Sequence, residues 1–546
     1  MRVHLKFFLM FIIFTSCSLV ADTQLKLFDS DNLKIISHFP VLHKGRNKPF
    51  DSWARETLLT FSAKSTVSQY SASHWLALLL IDSKTVLAEP VFQVNHPEVI
   101  LALQLEPNDK RRYSYNFFHA SFQILQKLIS HAVKIPSKEQ SIVEREVLKL
   151  NHNLNEFFNY QQFSLKLHNA TKSEAHHHFT FPAAFNVSNE KNHALSEIFI
   201  ELKQNYSNKN YDNFKNSLLS MTKVLGKNID QNQMDKCAFE VIVNEFDPLY
   251  KAEILYGFSL LALIFSSFAS RRKFYFLSIA LLLLGLLSHS FAIAARMWIM
   301  SRPPVTNLYS TFIFVGWACV VLGLIIAYTK DYMIGLISGG VSGLLFLLIA
   351  GKYSIEGDTM GVMVAVLNSN FWLATHVITI SLGYAGCCLA GILAHIYLVR
   401  VISKKTTKEV LGQTYNIMLA TLGFGLALTF IGTVLGGVWA DQSWGRFWGW
   451  DPKENGALLI VLWCALIMHA RLAGMISKVG MVIGTLLGIQ VVFLAWFGVN
   501  LLGVGLHSYG FTTGVAHNLL IFFCVELLFV VITRFMSHKN SGVVSH

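Results

Sequence analysis

The amino-acid sequence predicts an all-α, polytopic membrane protein with about nine transmembrane helices, preceded by a mostly helical exported (periplasmic) domain. Composition is the first reason, because 53% of the 546 residues are hydrophobic and only 14% are charged, which is too apolar for an average soluble protein. The second reason is a change at Tyr250, where polar and mixed sequence gives way to long apolar runs. We therefore expect three parts, which are 1–21, 22–250 and 251–546.

Residues 1–21 have the layout of a secretory signal peptide or of an uncleaved membrane anchor. A basic start with Arg2 and Lys6 precedes the short apolar run 7–14, and under either interpretation the region after residue 21 is exported. Lipid attachment at Cys17 is a weaker interpretation, because Phe14 stands where a smaller aliphatic residue is expected.

The region 22–250 has the pattern of a folded, mostly helical domain. Its runs 116–133 and 140–158 carry apolar residues at helical spacing. The triplet His176–His178 is interpreted as an exposed polar loop and not as a metal site, since neither cysteine nor a spaced fourth ligand accompanies it.

Long apolar runs occupy the rest of the chain, each near the ~20 residues that span a bilayer. The predicted spans are 252–270, 274–296, 308–328, 332–351, 372–399, 413–437, 456–475, 480–500 and 515–534. Basic residues cluster at alternate ends of these spans, and the positive-inside rule assigns those ends to the cytoplasm. The basic residues concerned are Arg271, Arg272, Lys273, Lys330, Arg400, Lys404, Lys405, Lys408, Lys478, Arg534 and Lys539. The loops at the other ends are therefore expected on the same side as the exported domain.

The formal net charge of +12 has the same explanation, so we expect no nucleic-acid partner. The seven cysteines are scattered and include no Cys-x-x-Cys pair, which excludes a c-type cytochrome and a thioredoxin-like protein. Most of them lie in apolar runs, where small buried thiols are expected.

The stretch 439–456 is the most unusual part of the chain, because it holds Trp439, Trp444, Trp448 and Trp450. Tryptophan rings are apolar on their faces and polar at the N–H edge, so rings this close predict a flat aromatic shelf. Such a shelf suits a flat, apolar ligand with charged edges. The alternative is an interfacial aromatic belt, which is common in membrane proteins.

The end of this stretch carries a helix-start signal. Asp451 suits the N-cap, Pro452 suits the first helical position and Glu454 completes a capping box. The helix that begins here is apolar enough to enter a membrane, so the tryptophans lie at its boundary with water. The glycines and Arg446 between the rings, together with this cap, favour the shelf over the belt.

The residues Trp-Gly-Arg-Phe-Trp-Gly-Trp-Asp-Pro-Lys-Glu at 444–454 closely resemble the tryptophan-rich haem-handling signature of cytochrome c biogenesis proteins. With Gly-Gly-Val-Trp-Ala at 436–440, they are most similar to the CcsA/ResC branch, the membrane half of the system II cytochrome c synthase. They are less similar to the system I relatives CcmC and CcmF. Two stretches of the exported domain, 39–55 and 90–97, resemble the amino-terminal region fused to CcsA-type proteins in some lineages.

This resemblance implies a protein of the inner (cytoplasmic) membrane that binds haem b and carries it to the outer, periplasmic face. There it would present haem so that the two thiols of a Cys-x-x-Cys-His segment of apocytochrome c add to the vinyl groups, a haem lyase (holocytochrome c synthase) activity. The implied partners are haem, apocytochrome c, a ResB-like subunit, a thiol-reducing system and the lipid bilayer. We expect no residue in a standard acid–base role, because the addition chemistry belongs to haem and the thiols.

Two histidines are expected on the outer side by topology, His376 before the tryptophan shelf and His507 after it. Two imidazoles placed there could supply both axial ligands of a haem iron. Both local sequences also resemble the two external haem-ligand positions of the CcsA family.

A third histidine, His469, lies in the helix that begins at Asp451, toward its cytoplasmic half. An ionisable group at that depth is costly and is functional by default, and it matches the family's intramembrane haem ligand. His289 in the second span is either a second intramembrane ligand or a packed core histidine, and His395 and His4 are alternatives. In the family, that second ligand usually comes from the ResB part.

Four basic residues are candidates for holding the haem propionates. Arg446 and Lys453 lie in the shelf, while Arg296 and Arg302 lie at the outer end of the second span. The helix start at Pro452 adds a weakly positive, anion-favouring site. For each arginine the alternative is topology control or contact with lipid headgroups.

Two other functions are compatible with the sequence. The first is a haem exporter of the CcmC kind, which passes haem to a separate carrier and makes no thioether bond. The second is a structural membrane subunit whose tryptophans only anchor it.

Overall fold

A computed structural model of the protein describes residues 27–136, 139–169, 189–227, 229–266, 268, 271–354, 357–363, 365–403, 406–499 and 515–541. The predicted signal or anchor at 1–21, the triplet His176–His178 and the proposed ligand His507 lie outside these residues. The described chain is mostly helix, as the composition predicted. It contains two separate hydrophobic cores, one built from residues between 27 and 225 and the other from residues between 252 and 497.

The amino-terminal region is helical, with three short antiparallel strand pairs that its sequence pattern did not predict. Its helices are α1 (Ser30–Ser37), α2 (Phe50–Ser62), α3 (Ala72–Ile81), α4 (Ser83–Val86), α5 (Pro97–Ala102), α6 (Tyr115–Ala120), α7 (Phe122–Lys134), α8 (Ile142–Asn169), α9 (Asn189–Ser207), α10 (Tyr211–Gly226) and α11 (Gln231–Phe246). Its strands are β1 (Pro40–His43) with β2 (Arg46–Pro49), β3 (Thr66–Val67) with β4 (Tyr70–Ser71), and β5 (Phe92–Gln93) with β6 (Arg112–Tyr113). The run 116–133 is divided between α6 and α7 at Ser121, and the run 140–158 lies in α8 from Ile142 onward.

The β1–β2 hairpin is closed by a two-residue turn at Lys44 and Gly45. Both residues have positive φ, 50° and 78°, which is the geometry of the primed turns that suit the twist of an antiparallel pair. Glycine adopts this conformation without a steric cost, whereas Lys44 is held in it by the strand pairing on either side. The hairpin belongs to one of the stretches that resemble CcsA-fused regions.

The second part of the chain is a bundle of long apolar helices. Among the described residues, nine helices are long and apolar enough to cross a membrane, in agreement with the number predicted. They are formed by α12 (Pro248–Ser266, continuing from α11), α13 (Arg271–Met300), α14 (Leu308–Thr329), α15 (Tyr332–Ser354), α16 (Asn370–Trp372) with α17 (Ile378–Ile402), α18 (Lys408–Trp444), α19 (Pro452–Leu472), α20 (Lys478–Trp496) and α21 (Val515–Ser541).

Helix α18 differs from its predicted boundaries in a way that matters for the site. It has 37 residues and ends at Trp444, not near 437 as predicted, so at 1.5 Å per residue it is about 55 Å long. That length exceeds the ~30 Å hydrocarbon thickness of a bilayer. The helix stops at Gly445, which takes the left-handed conformation with φ of 68° and donates its N–H to the carbonyl of Asp441. Trp439 and Trp444 therefore lie on helix and not in a loop.

Helices α17 and α18 cross at closely opposed glycines. A Cβ built on Gly386 of α17 would lie 2.7 Å from the Cα of Gly425 on α18, so a side chain at either position would force the helices apart. Small residues at helix crossings allow close backbone approach in membranes, where burial of apolar surface offers little drive for association. This close crossing allows the parts of α17 and α18 near His376 to lie close to each other.

The cysteines behave mostly as the apolar runs suggested. All six described cysteines are free thiols, and five of them are buried, namely Cys237, Cys319, Cys387, Cys388 and Cys464. Cys524 on α21 is exposed.

Different residues make the contacts at the two ends of the helix bundle. At one end, Lys236 of α11 donates to the Ser301 hydroxyl at 2.5 Å, and the Asn370 amide lies 3.5 Å from the Ser301 carbonyl. At the other end, Arg400 lies 3.8 Å from Asp331. The amino-terminal region therefore contacts the end of the bundle where α16 begins, away from Arg400.

Candidate functional site

His376 lies on a helical turn of unusual geometry. The segment Leu373–Val377 between α16 and α17 is a π-helix. Ser369 caps α16, since its hydroxyl accepts from the backbone N–H of Trp372. Single π-helical turns are rare and frequently occur at functional sites, because they re-aim one side chain relative to the rest of the helix.

The orientation of the His376 ring is set by helix α18. Its Nδ1 lies 2.8 Å from the carbonyl oxygen of Gly432, 56 residues along the chain. A carbonyl only accepts, so this hydrogen bond puts the proton on Nδ1 and the basic lone pair on Nε2. Metal-binding histidines use this arrangement, in which a second acceptor fixes the tautomer and raises the basicity of the ligating nitrogen.

Gly436 provides the space that this ring occupies. A Cβ at that position would lie 2.6 Å from Cε1 of His376 and 3.3 Å from its Nε2. Carbon atoms cannot approach so closely, so the imidazole packs against α18 only because residue 436 has no side chain. Glycine is therefore required here by close approach and not by backbone conformation.

Two tryptophan rings accompany His376. Trp439 of α18 meets the imidazole with ring centroids 5.8 Å apart, and it stacks on Trp372 at 6.4 Å with an interplanar angle of 12°. The indole N–H of Trp372 donates to the side-chain carbonyl of Gln442 at 2.9 Å, which holds the buried ring in place. Sequence reasoning missed Trp372 and Gln442 as site residues. The available signal was the position of Trp372, four residues before His376 and so close to the same helix face.

The other tryptophans of the motif lie around the connection from α18 to α19. Trp448 and Trp450 meet edge to face with centroids 6.2 Å apart, and Trp450 is 71% exposed with a φ of 57°. Trp444 is half-buried on the last turn of α18. Of the four predicted shelf rings, Trp439 therefore pairs with Trp372 beside His376. Trp448 and Trp450 pair with each other in the connection, at an interplanar angle of 87° and not as one flat surface.

The predicted capping box at the start of α19 is confirmed. Asp451 is buried, and its Oδ1 accepts from the backbone N–H of Lys453 at 2.9 Å. The carboxylate of Glu454 reaches back to the backbone N–H groups of Asp451 at 3.1 Å and Gly449 at 2.8 Å. Since Gly449 and Asp451 flank Trp450 on either side, the cap fixes the backbone that carries the exposed ring.

We expect Asp451→Ala to disorder this connection, whereas Asp451→Asn keeps most of its function. Loss of an N-cap costs about 1 kcal/mol, and asparagine caps nearly as well as aspartate. On the expectation from the sequence resemblance that the chain binds haem, haem retained per purified protein should fall several-fold for alanine and stay near the wild-type level for asparagine. Asp441→Ala is the matched control, because Asp441 is an exposed aspartate ten residues earlier. If asparagine is as damaging as alanine, the carboxylate charge matters and the capping explanation is wrong.

The basic candidates differ in what they contact. The Arg446 guanidinium occupies the space that a side chain at Gly449 would need, so it lies over the connection. Lys453 donates from Nζ to the carbonyl of Trp496 at 2.6 Å, which ties the start of α19 to the end of α20. Arg296 donates to the carbonyl of Thr359 at 2.6 Å. Lys453 and Arg296 therefore have backbone partners elsewhere in the bundle, whereas Arg446 lies against Gly449 within the motif.

Two other candidate histidines lie far apart and in different surroundings. His469 is exposed near the end of α19, and its Nδ1 lies 2.7 Å from the carbonyl of Ala465, which again leaves the lone pair on Nε2. His289 is completely buried in α13, with Nδ1 3.2 Å from the Tyr256 hydroxyl and its Cε1 facing Gly316. A porphyrin could reach the His289 ring only if α13 and α14 separated.

His395, an alternative intramembrane ligand, faces the last helix. Its Nε2 lies 3.0 Å from the Glu526 carboxylate of α21, and its Nδ1 lies 2.9 Å from the Gly391 carbonyl. Both ring nitrogens are therefore engaged within the bundle.

Comparison with known proteins defines the family. The family model of the cytochrome C assembly protein matches residues 305–507. CcsA of Guillardia theta is 33% identical over 233 residues, which is 38% of this chain and 76% of that protein. The chain belongs to the CcsA-type cytochrome c biogenesis family. CcsA of Chlamydomonas reinhardtii is also 33% identical, over 216 residues that cover 38% of this chain and 61% of that protein.

Protein NrfI of Wolinella succinogenes resembles a larger part of the chain. It is 26% identical over 492 residues, which is 85% of this chain, and the chain spans 53% of the length of NrfI. The CcsA-type stretch at 305–507 includes His376, the tryptophan motif and His469, whereas His289 and the amino-terminal region precede it. Cytochrome c biogenesis entails handling of haem. Haem is therefore the ligand to compare with the arrangement around His376.

Proposed function

We propose that this CcsA-type protein binds haem b, carries it to the outer face of the inner membrane and presents it to apocytochrome c for covalent attachment. The observation that carries the proposal is the His376 site. Its Nδ1 hydrogen bond to the Gly432 carbonyl leaves Nε2 as the basic nitrogen, and the Trp439 ring lies beside it. A fixed imidazole next to an aromatic face suits an iron porphyrin, which needs an axial ligand and a surface for its ring.

In this proposal the tryptophans contact the porphyrin faces. His376 and His507 would each supply one ligand to the iron. Arg446 and Lys453 are assigned to the propionates, aided by the positive end of α19 that begins after Asp451. His469 is the ligand during passage through the membrane. A ResB-like subunit would supply its counterpart, because the His289 ring is enclosed by the bundle.

The protein's contribution to the reaction is position and exclusion of water. Each thiol of the Cys-x-x-Cys-His segment adds across one vinyl double bond, so a carbon–sulfur bond forms and the thiol hydrogen passes to the neighbouring carbon. Holding the vinyl groups against the two thiols makes a reaction between two separate molecules effectively unimolecular. A thiol-reducing system keeps the cysteines reduced, and the amino-terminal domain and motif share the periplasmic side.

Purified protein tests the proposal directly. We expect the detergent-purified chain to carry haem with the absorption of a bis-histidine complex, and to yield haem that stays attached after denaturation when a Cys-x-x-Cys-His apocytochrome is supplied. Haem that is retained but never becomes covalent, even with a ResB-like subunit present, would favour export to a carrier. Absence of haem would contradict both functions and leave a structural role.

A further inference from the structure

The loop 357–363 is held from two sides. From the bundle, Arg296 of α13 and the Asn307 amide at the start of α14 donate to the carbonyl of Thr359, at 2.6 and 2.8 Å. From the amino-terminal domain, Lys48 of β2 reaches the carboxylate of Asp358 at 2.5 Å. The loop therefore connects the hairpin to the membrane helices, and the ion pair between Lys48 and Asp358 joins residues 310 apart in sequence.

Lys48 is fully buried, so its charge depends on the partners it has. Its Nζ lies 2.7 Å from Glu56 of α2 in addition to Asp358, and the side chain is 1% exposed. A buried ammonium ion without a carboxylate partner is strongly unfavourable. Lys48 therefore binds the loop to the amino-terminal domain. Exposed ion pairs contribute little to stability, but these pairs are buried.

Both carboxylates of this cluster are ionised. Burial on its own would raise the pKa of Glu56, but His43 and Lys48 hold it well below its ordinary value. Burial would likewise raise the pKa of Asp358, but the charges of Lys48 and Arg46 lower it. The two carboxylates and Lys48 thus link the two domains.

The hairpin that carries Lys48 is itself firmly attached. Arg46 makes a two-pronged contact with Glu240 of α11, at 2.6 and 2.9 Å, and Ser52 donates to the same carboxylate at 2.6 Å. Helix α11 continues into the membrane as α12, with a break at Asp247. The hairpin is thus tied to the helix that leads into the membrane, and Lys48 ties the same hairpin to the loop.

The loop leads directly into the His376 turn. A short 3₁₀ turn at Ala365–Leu367 comes next, then α16 with the buried Trp372, then the π-helix with His376. Few residues separate Asp358 from these elements along the chain, so the position of the loop constrains where α16 can begin.

We propose that Lys48 is a positioning residue for the haem site, acting through Asp358 on the segment that holds Trp372 and His376. This rests on the proposed function of His376, and it gives the amino-terminal domain a task, which is to hold the haem-ligand turn in register. The hairpin sequence by itself does not reveal the link, because the contact between Lys48 and Asp358 exists only in the fold.

The test uses the full chain with Lys48→Met, Asp358→Asn, the double variant and Lys44→Met. Lys44 is the matched control, because it pairs with the same Glu56 at 2.5 Å but is 54% exposed and belongs to the turn. In the absence of haem, we expect amide hydrogen exchange across 357–377 to be at least about tenfold faster in both single variants and unchanged in Lys44→Met. The double variant should be no worse than the singles, because the two side chains act as one pair.

The second measurement is the midpoint potential of bound haem, which a purely structural role would not move. We expect a shift in Lys48→Met and Asp358→Asn but not in Lys44→Met. Unchanged exchange across 357–377, or an unchanged potential in variants that exchange faster, would overturn the inference. If Lys48→Met fails to accumulate, Asp358→Asn decides, since it leaves Lys48 its Glu56 partner. Failure of the proposed function is separate, because the wild-type chain would then bind no haem.

Discussion

His376→Gly is expected to lower haem retention at least about tenfold, and added imidazole is expected to restore much of it by filling the vacated ligand position. The reason is the fixed ring. His376 is held by the Gly432 carbonyl and beside Trp439, so under the proposed function its loss removes a pre-oriented ligand and not merely a polar side chain. Absorption spectra and haem per protein, with and without imidazole, measure both effects.

Thr375→Gly is the control for this variant. It introduces the same glycine flexibility into the same π-helical turn, yet it leaves the imidazole in place. We expect a small loss of haem that does not respond to imidazole. Equal loss in the two variants, or a His376→Gly protein that ignores imidazole, would show that the histidine serves folding and does not ligate iron.

Gly436→Ala is expected to have the second-largest effect, although it adds a single methyl group. The new Cβ would lie 2.6 Å from Cε1 of His376, so either the ring or helix α18 must move. A displacement near 1 Å at a positioned group can cost about a hundredfold in rate. We therefore expect a large loss of cytochrome c yield with near-normal protein in the membrane.

Gly423→Ala provides the comparison on the same helix. Nothing lies within 4 Å of a Cβ at Gly423, so alanine is tolerated there and raises helix propensity. Thermal unfolding and cytochrome c yield should both stay at or above the wild-type level. A Gly436→Ala protein with a normal yield would contradict the packing of His376 against α18.

The sequence predicted the membrane part well because its signals are local. Apolar runs of sufficient length predict spanning helices wherever they occur, and the nine described spans agree with that count. The cap at Asp451 is equally local, since its partners lie within a few residues. Helix α18 continues beyond the predicted span 413–437 to Trp444, because Gly436 and Gly437 do not end it and the tryptophans are compatible with helix.

The site was only partly predictable. His376, His469 and the tryptophan motif stand out as residue types that are rare in their surroundings, and the resemblance to CcsA proteins points to the same positions. His507 lies outside the described residues and stays a prediction. Trp372 and Gln442 gave no comparable signal, because an indole in an apolar segment is ordinary until its partner is known.

What the sequence by itself determined is the helical membrane architecture, the family and the candidate residues for binding haem. Only the tertiary structure decided how those residues are oriented. Gly432 and Gly436 meet His376 because α17 and α18 cross at Gly386, and Lys48 meets Asp358 because the hairpin docks on the bundle. The physical reason is that hydrogen bonds and buried ion pairs depend on distances of about 3 Å, and those distances are set by packing between segments far apart in the chain.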